Sequence, residues 1–332
     1  MFENVISGSD NSILFDNSVR HIVQSAMAGL NGTVFAYGQS NSGKTHSIIG
    51  TPTNPGMIPR AVNEVFDIIR HDSKSGREYL LRVAYMEIYN ENIRDLLAPE
   101  TTNLRIHEDK RRGIYVSPLK EEIVTTPSQV MKILQRGESN RKTGATDFNE
   151  HSSRSHAIFQ FIIESRAPTI QSRSGTPLLG GMTGSTARRV TMASSEHLEG
   201  IRISTLSLID LAGSEKATSS LDRRKEGAYI NKSLLTLGTV VSKLSEAQPG
   251  HIPYRDSKLT RILQSSLSGN ARVAVICTIS PSALSYEESI NTLKFATRVK
   301  RVTTNAKVMR IEDERALLQK YRIEILELRS KL

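Results

Sequence analysis

The chain has 332 residues, 38% hydrophobic and 23% charged, with one cysteine, no tryptophan and a formal net charge of +10. This is the balance of a globular protein with a substantial core; no run of about 18 apolar residues suggests a membrane span, and the polar opening is unlike a secretory leader. A lone thiol excludes an internal disulfide and fits a reducing, intracellular compartment, while the basic surface attracts polyanions without choosing among nucleic acid, anionic lipid and an acidic protein polymer.

In chain order, strands and helices alternate, which predicts an α/β architecture. Residues 18–30 carry Val19, Ile22, Val23, Ala26 and Leu30 at helical spacing. A short apolar strand, 33–37, runs straight into a glycine-rich turn. A helix over 58–70 has Pro59 in its first turn, where a missing N–H costs little. Residues 79–89 alternate as a strand should. Thr126 is set to cap a helix that opens at Pro127. Strands are predicted at 156–163 and 201–209, helices at 226–246 and 257–267, a buried strand at 271–279 that contains Cys277, and a helix at 286–301. Residues 168–195 are rich in Ser, Thr, Gly and Arg and read as a flexible surface insertion. From Ile311 onward, Ile311, Leu318, Tyr321, Ile325, Leu328 and Leu332 alternate spacings of three and four, a heptad seam.

The strongest local signal is Gly38-Gln39-Ser40-Asn41-Ser42-Gly43-Lys44-Thr45, a G-x-x-x-x-G-K-[ST] phosphate loop between a strand and a helix. Glycines let the backbone curl so that N–H groups face phosphate, and the following helix adds favourable partial charge. Lys44 is expected to reach the β- and γ-phosphates and the Thr45 hydroxyl to take a place on Mg²⁺. Such a loop alone does not say what the nucleotide is for.

Two further strings follow the loop in order. Asn149-Glu150-His151-Ser152-Ser153-Arg154-Ser155-His156 resembles switch I of the kinesins, and Asp210-Leu211-Ala212-Gly213-Ser214-Glu215 resembles their switch II. Phe35-Ala36-Tyr37, His251-Ile252-Pro253-Tyr254-Arg255-Asp256 and Thr292-Leu293-Lys294-Phe295-Ala296 agree, so the resemblance covers nearly all of residues 1–305. It implies a P-loop NTPase fold, a mostly parallel or mixed central sheet flanked by helices. It also implies a microtubule-stimulated ATPase that uses ATP and Mg²⁺ to move along microtubules. Asp210, at a strand tip, is suited to hold Mg²⁺ through water, with Thr45 and Ser153. Gly213, lacking a side chain, lets its N–H approach the γ-phosphate. Ser152 and Ser153 supply short hydroxyls, and Arg154 with Glu215 resembles the pair that closes the switches. Hydrolysis then rests on positioning and charge rather than on a strong base. His156 reads as a structural hydrogen-bonding residue rather than a metal ligand.

Basic residues fall where this family meets acidic tubulin: Lys110, Arg111 and Arg112; Arg223, Arg224 and Lys225; then Lys232, Arg255, Lys258 and Arg261. The scarcity of aromatics argues against single-stranded nucleic acid as the partner, and no membrane partner is expected. The resemblance divides the chain into a motor domain over 1–300, a neck linker over 301–310 and the start of a neck coiled coil over 311–332. That last stretch resembles the centromere-associated, kinesin-7 subfamily. With Leu318 at a, Glu324 falls at g and Arg329 at the following e, suiting a homodimer. The implied workplace is cytoplasmic, on the microtubule cytoskeleton, the spindle included. One expectation cuts the other way. The family's opening strand carries an R-x-R-P motif against the adenine, and this chain shows none; it opens with Phe2-Glu3-Asn4-Val5-Ile6, at the place of a later strand. The sheet is then expected to lack that strand, which makes a kinesin-like microtubule-binding module with impaired turnover the alternative function.

Overall fold

The computed structural model describes residues 2–72, 76–109, 113–143, 153–166, 201–215, 224–246, 250–308 and 310–311, with the backbone alone for 143, 224–231 and 310–311. The predicted insertion at 168–195, nearly all of the heptad segment, His151, Ser152, Lys110, Arg111, Arg112 and Arg223 lie outside these residues.

Residues 2–10 form no strand, contrary to expectation; Asn4 instead donates from its side chain to the Asn17 carbonyl and the Ser18 hydroxyl. The first helix arrives earlier than predicted and in two pieces. Asp10 accepts from the Ser12 N–H at 2.7 Å and caps α1 (Asn11–Ser18). Val19, at φ −120°, breaks the path before α2 (Arg20–Met27). The apolar spacing was sound, since Val19, Ile22, Val23 and Ala26 are all buried. Strand β1 (Gly32–Tyr37) follows, then α3 (Lys44–Ile48), α4 (Met57–Asp72), β2 (Glu78–Tyr89) and β3 (Asn92–Asp95). A separate ribbon pairs β4 (Arg105–Asp109) with β5 (Gly113–Ser117). Then come β6 (Glu122–Val124), α5 (Pro127–Thr143), β7 (His156–Arg166), β8 (Ile201–Asp210), α6 (Arg224–Leu244), α7 (Lys258–Ile262), β9 (Arg272–Cys277), α8 (Tyr286–Val299) and β10 (Arg310–Ile311). The helix predicted over 257–267 ends at Leu263 and gives way to a wider turn at Ser266–Asn270, where Gly269 has φ 95°.

One mixed sheet runs in the order β3-β2-β7-β8-β1-β9, with β6 on β2 and β10 on β8. β1 is parallel to β8 and β9, whereas β7 is antiparallel to both β8 and β2. Strand periodicity divides the core into two. Val34, Ala36, Val83, Tyr85, Phe159, Phe161, Leu206 and Leu208 pack under α1, α2, α4 and α5, while Phe35, Met86, Ile88, Ile158 and Ile209 face α6, α7 and α8. β9 is less buried than predicted: Val273, Ala274 and Val275 are half-buried because, among the described residues, it is the outer strand on that side. Cys277 ends this strand, and burial pushes its thiol up to about 12.

The turn between β2 and β3 puts Asn90 and Glu91 at φ 50° and 57°, left-handed values that are costly for residues other than glycine. Glu91 gains an offsetting role there. Its carboxylate accepts from the Ser257 hydroxyl at 3.0 Å and the Lys258 N–H at 2.8 Å, which caps α7 from the sheet. Among the described residues no helix is long and apolar enough to cross a membrane.

Candidate nucleotide-binding site

Strand direction gathers the site. Ala36 on β1 is level with Asp210 at the end of β8, Asp210 with Ala157 at the start of β7, and His156 with Ile88 near the end of β2. The phosphate loop, both switch-like segments and the β2 terminus therefore meet at one edge of the sheet, the crevice where open α/β sheets bind ligands.

The loop turns as its sequence predicts. Gly38 has φ 155°, Asn41 59° and Gly43 107°. A Cβ on Gly38 would collide with the Thr278 carbonyl, so glycine is required there for space as well as conformation. The Ser42 hydroxyl donates to the Gln39 carbonyl at 2.7 Å and lies 2.6 Å from the Thr278 hydroxyl. The Gln39 amide donates to Ser285 at 2.7 Å. Lys44 opens α3, is buried, and donates from Nζ to the Gln39 carbonyl at 2.7 Å. Burial holds its pKa below the ordinary lysine value, against the pull of Asp210 and Glu215.

The Thr45 hydroxyl donates to Asp210 Oδ2 at 2.6 Å. Asp210 Oδ1 is buried with no hydrogen-bond partner in the protein. An orphaned carboxylate oxygen beside a threonine hydroxyl at the phosphate end suits a hydrated magnesium ion, which binds through oxygens and keeps most of its waters. Among the described residues no three His, Cys, Asp or Glu side chains gather into a metal cage. Burial raises the Asp210 pKa, opposed by Arg141, Thr45 and Lys44.

The switch-like segments touch each other and the loop. The Gly213 N–H donates to the Ser153 carbonyl at 2.7 Å, so the group expected to face γ-phosphate is engaged across the two segments. The Ser214 N–H donates to the Gly38 carbonyl at 3.0 Å. Glu215 accepts from the Ser40 N–H at 2.7 Å and from the Ser40 hydroxyl. A Cβ on Gly213 would meet the side-chain ends of Glu215 and Ser40, which would have to shift to admit it. Ser153 and Arg154 form a helical turn just before β7, both half-buried.

His156 has the structural role expected of it. Its Nδ1 accepts from the Ala212 N–H at 3.0 Å, which makes Nε2 the protonated nitrogen, 2.8 Å from the Ser233 hydroxyl. Burial, with Arg141 and Lys44 nearby, pushes the ring down to about 3. The unfolded chain, with an ordinary value near 6.5, therefore takes up this proton first as pH falls. Its contribution to stability is intact above about pH 6.5 and drains below it with a slope that approaches about 1.4 kcal/mol per pH unit. A urea midpoint followed from pH 7.5 to 5 should fall, and His156→Gln, which keeps an acceptor, should flatten that fall by one proton's slope. Parallel profiles for the two proteins would contradict a buried neutral imidazole.

On the basic face, Lys232 is exposed on α6, Arg255 is exposed before α7, and Lys258 is half-buried at the start of α7. Arg224 and Lys225 open α6. Arg261 departs from the picture of a free surface charge. It is mostly buried, donates to Glu108 on β4 at 2.6 Å, and leaves only part of its charge for a partner. That bond, with Arg255 at 3.6 Å from the same carboxylate, seats the β4–β5 ribbon against α7. Sequence reasoning missed Arg141, Glu87 and Thr278. Nothing along the chain marks them, because their partners are distant in sequence.

The family model described as the kinesin motor domain matches residues 1–302. Kinesin-related protein 11 of Dictyostelium discoideum is 51% identical over 97% of this chain and 45% of its own length. Kinesin-like protein KIN-7O of Arabidopsis thaliana is 49% identical over 96% of this chain and 24% of its own. A solved structure of a fast kinesin, 40% identical, matches with a TM-score of 0.76 over 90% of this chain and 78% of that one. The chain spans less than half the length of these two curated relatives. The likeness in structure extends to the mixed central sheet flanked by helices of a P-loop NTPase.

Proposed function

The chain belongs to the kinesin family, with kinesin-7 proteins among its relatives, and from that membership we propose that it is a microtubule motor that couples ATP hydrolysis to movement. The observation that carries the reading is the phosphate end of the sheet. There Lys44, the Thr45–Asp210 pair and its free Oδ1 sit within reach of two switch-like segments bonded to each other through Gly213 and Ser153.

ATP would lie along the loop from Gly38 to Thr45, with Lys44 leaving the Gln39 carbonyl for phosphate oxygens. Thr45, Ser153 and Asp210 would hold Mg²⁺, partly through water, and the ion when bound neutralises charge on the β- and γ-phosphates. Gly213 would release the Ser153 carbonyl and turn its N–H toward the γ-phosphate. Ser152 and Ser153 would add hydroxyls. Glu215 would leave Ser40 and pair with Arg154, closing the switches and ordering the attacking water. This intact phosphate end does not favour the second reading, a binding module with impaired turnover.

The track face would be Lys110, Arg111 and Arg112, which follow β4 in sequence, Arg223, Arg224 and Lys225, then Lys232, Arg255 and Lys258, with Arg261 anchoring the β4–β5 ribbon. An acidic filament surface is its natural complement. Residues 301–310 would act as a neck linker. The Asn305 N–H bond to the Gly269 carbonyl at 2.8 Å and the pairing of β10 with β8 support a linker lying on the motor. Residues 311–332 would begin a coiled coil and make the protein a homodimer on the microtubule cytoskeleton.

Steady-state ATPase with and without microtubules tests the reading. Stimulation of tenfold or more is expected, and none would sink the motor assignment. Reversing Lys232, Arg255 and Lys258 to Glu should raise the microtubule concentration for half-maximal stimulation about tenfold and make its salt dependence shallower. Unaltered half-saturation at low salt would remove these residues from the interface.

A further inference from the structure

α8 ends at Val299, and the chain runs on through Lys300 and Arg301 into residues 302–308, which form neither helix nor strand. Three contacts lay this stretch on the end of the sheet. The Asn305 N–H donates to the Gly269 carbonyl at 2.8 Å, and the Lys307 N–H donates to Asn270 Oδ1 at 3.4 Å. Val308 covers Gly29 so closely that a Cβ there would stand 3.1 Å from its Cγ1. Thr303 and Thr304, between the helix end and these anchors, are exposed. Within α8 the threonines spend their hydroxyls on the backbone: Thr292 donates to the Glu288 carbonyl at 2.9 Å and Thr297 to the Leu293 carbonyl at 2.8 Å. Thr303 lies past the helix and, among the described residues, makes no such bond.

Charge singles this hydroxyl out. Lys300 and Arg301 stand three and two residues before Thr303, and among the described residues no other Ser or Thr follows a Lys or Arg pair at that spacing. A protein kinase whose substrate groove is lined with carboxylates reads such a pair, and an exposed segment without helix or strand can enter the groove. The surroundings then give the phosphate a role. Arg272, Arg298, Arg301 and Lys307 are exposed, and among the described residues none of them has an acidic partner within 4 Å. Laying the segment down therefore adds Arg301 and Lys307 to an end of the molecule already positive through Arg272 and Arg298, a repulsion that acts over about 8–10 Å. A phosphate near −2 at Thr303 reverses the sign of that interaction. The α8 dipole opposes it weakly, since that field fades within the last turn and Thr303 is beyond it.

We propose that Thr303 is a phosphorylation site for a serine/threonine kinase directed by basic residues, and that its phosphate fastens residues 302–308 to the end of the sheet. The kinase moves the γ-phosphoryl group of ATP to Thr303 Oγ1. The bond formed is Oγ1–P, and the bond broken joins the γ-phosphorus to the β–γ bridging oxygen. ADP leaves, and the hydroxyl proton passes to the kinase's catalytic carboxylate. Neither half of the proposal depends on the motor reading.

The test treats the whole chain with ATP, Mg²⁺ and the catalytic subunit of cyclic-AMP-dependent protein kinase, and locates phosphate by tandem mass spectrometry. Thr191, which follows Arg188 and Arg189 at the same spacing, is first changed to Ala so that one such site remains. Phosphate should appear at Thr303 in more than about half of the molecules, and Arg301→Ala should slow its appearance about tenfold. A peptide of residues 298–306 serves as the control. Modification of the peptide but not the chain, of neither, or of the chain at Thr304 in place of Thr303, would each overturn the site. Hydrogen exchange then reads the fastening. The Asn305 amide should exchange about fivefold more slowly in the phosphorylated chain, and Arg272→Ala should shrink that difference to about twofold. Equal or faster exchange after phosphorylation would overturn the second half.

Discussion

Lys44→Ala is expected to lower nucleotide affinity at least a hundredfold and to leave the fold standing. Lys44 is buried with its ammonium on the Gln39 carbonyl, and burial already works against its charge. Removing it relieves that desolvation, and Arg141 remains to face Asp210. Nucleotide-free melting should therefore change little. In the bound state the loss is large, because one compact cation meets two phosphates in a water-poor site where charge-assisted bonds are strong. Titration with a fluorescent ATP analogue alongside a thermal melt checks both halves. Unchanged affinity would remove Lys44 from the phosphate site.

Glu215→Ala and Arg154→Ala should each stop hydrolysis, by at least a hundredfold, without preventing ATP binding. The structure gives the two variants different binding behaviour. Glu215 occupies the Ser40 N–H and hydroxyl, donors at the mouth of the loop, and brings negative charge beside the phosphates. Removing it frees those donors, so Glu215→Ala should bind the ATP analogue as tightly as the wild type or more so. Arg154→Ala should bind equally or slightly less well. Both would lose the proposed closing pair, and with it the ordered water on which a reaction without a strong base would depend. Microtubule-stimulated turnover within twofold of the wild type in either variant would refute this role.

The phosphate loop was legible because its determinants are local: glycines at turning points, a lysine at a helix start, an apolar strand before it. Asp210 was legible for the same reason, standing at the end of an apolar strand. The short strands β4, β5 and β6 were harder to read, since three to five half-exposed residues carry too little periodicity. α1 was missed because its cap, Asp10, precedes a stretch with little apolar patterning, and only Asn11 and Phe15 are buried along it. β9 was predicted as a buried strand from its composition. Its half-exposure depends on how many neighbours a strand has, which only the assembled sheet decides. Arg261 read as a surface cation and Arg141 drew no reading at all, yet each side chain turns inward toward a carboxylate brought near by the fold, Glu108 and Glu87. Residue type fixes the charge; topology fixes whether that charge faces water or another charge.

The thiol at the end of β9 bears on how the protein can be handled. With a pKa near 12, Cys277 is ionised only about one part in a hundred thousand at pH 7, against a few per cent for an ordinary cysteine. Maleimides react with the thiolate, so the native cysteine should remain almost unlabelled over the minutes in which an exposed one is consumed. A dye or a surface tether can then be attached through one cysteine introduced on a solvent-facing helix position, without first deleting the residue nature placed there. The chain arrives, in effect, already prepared for site-specific attachment in single-molecule optics.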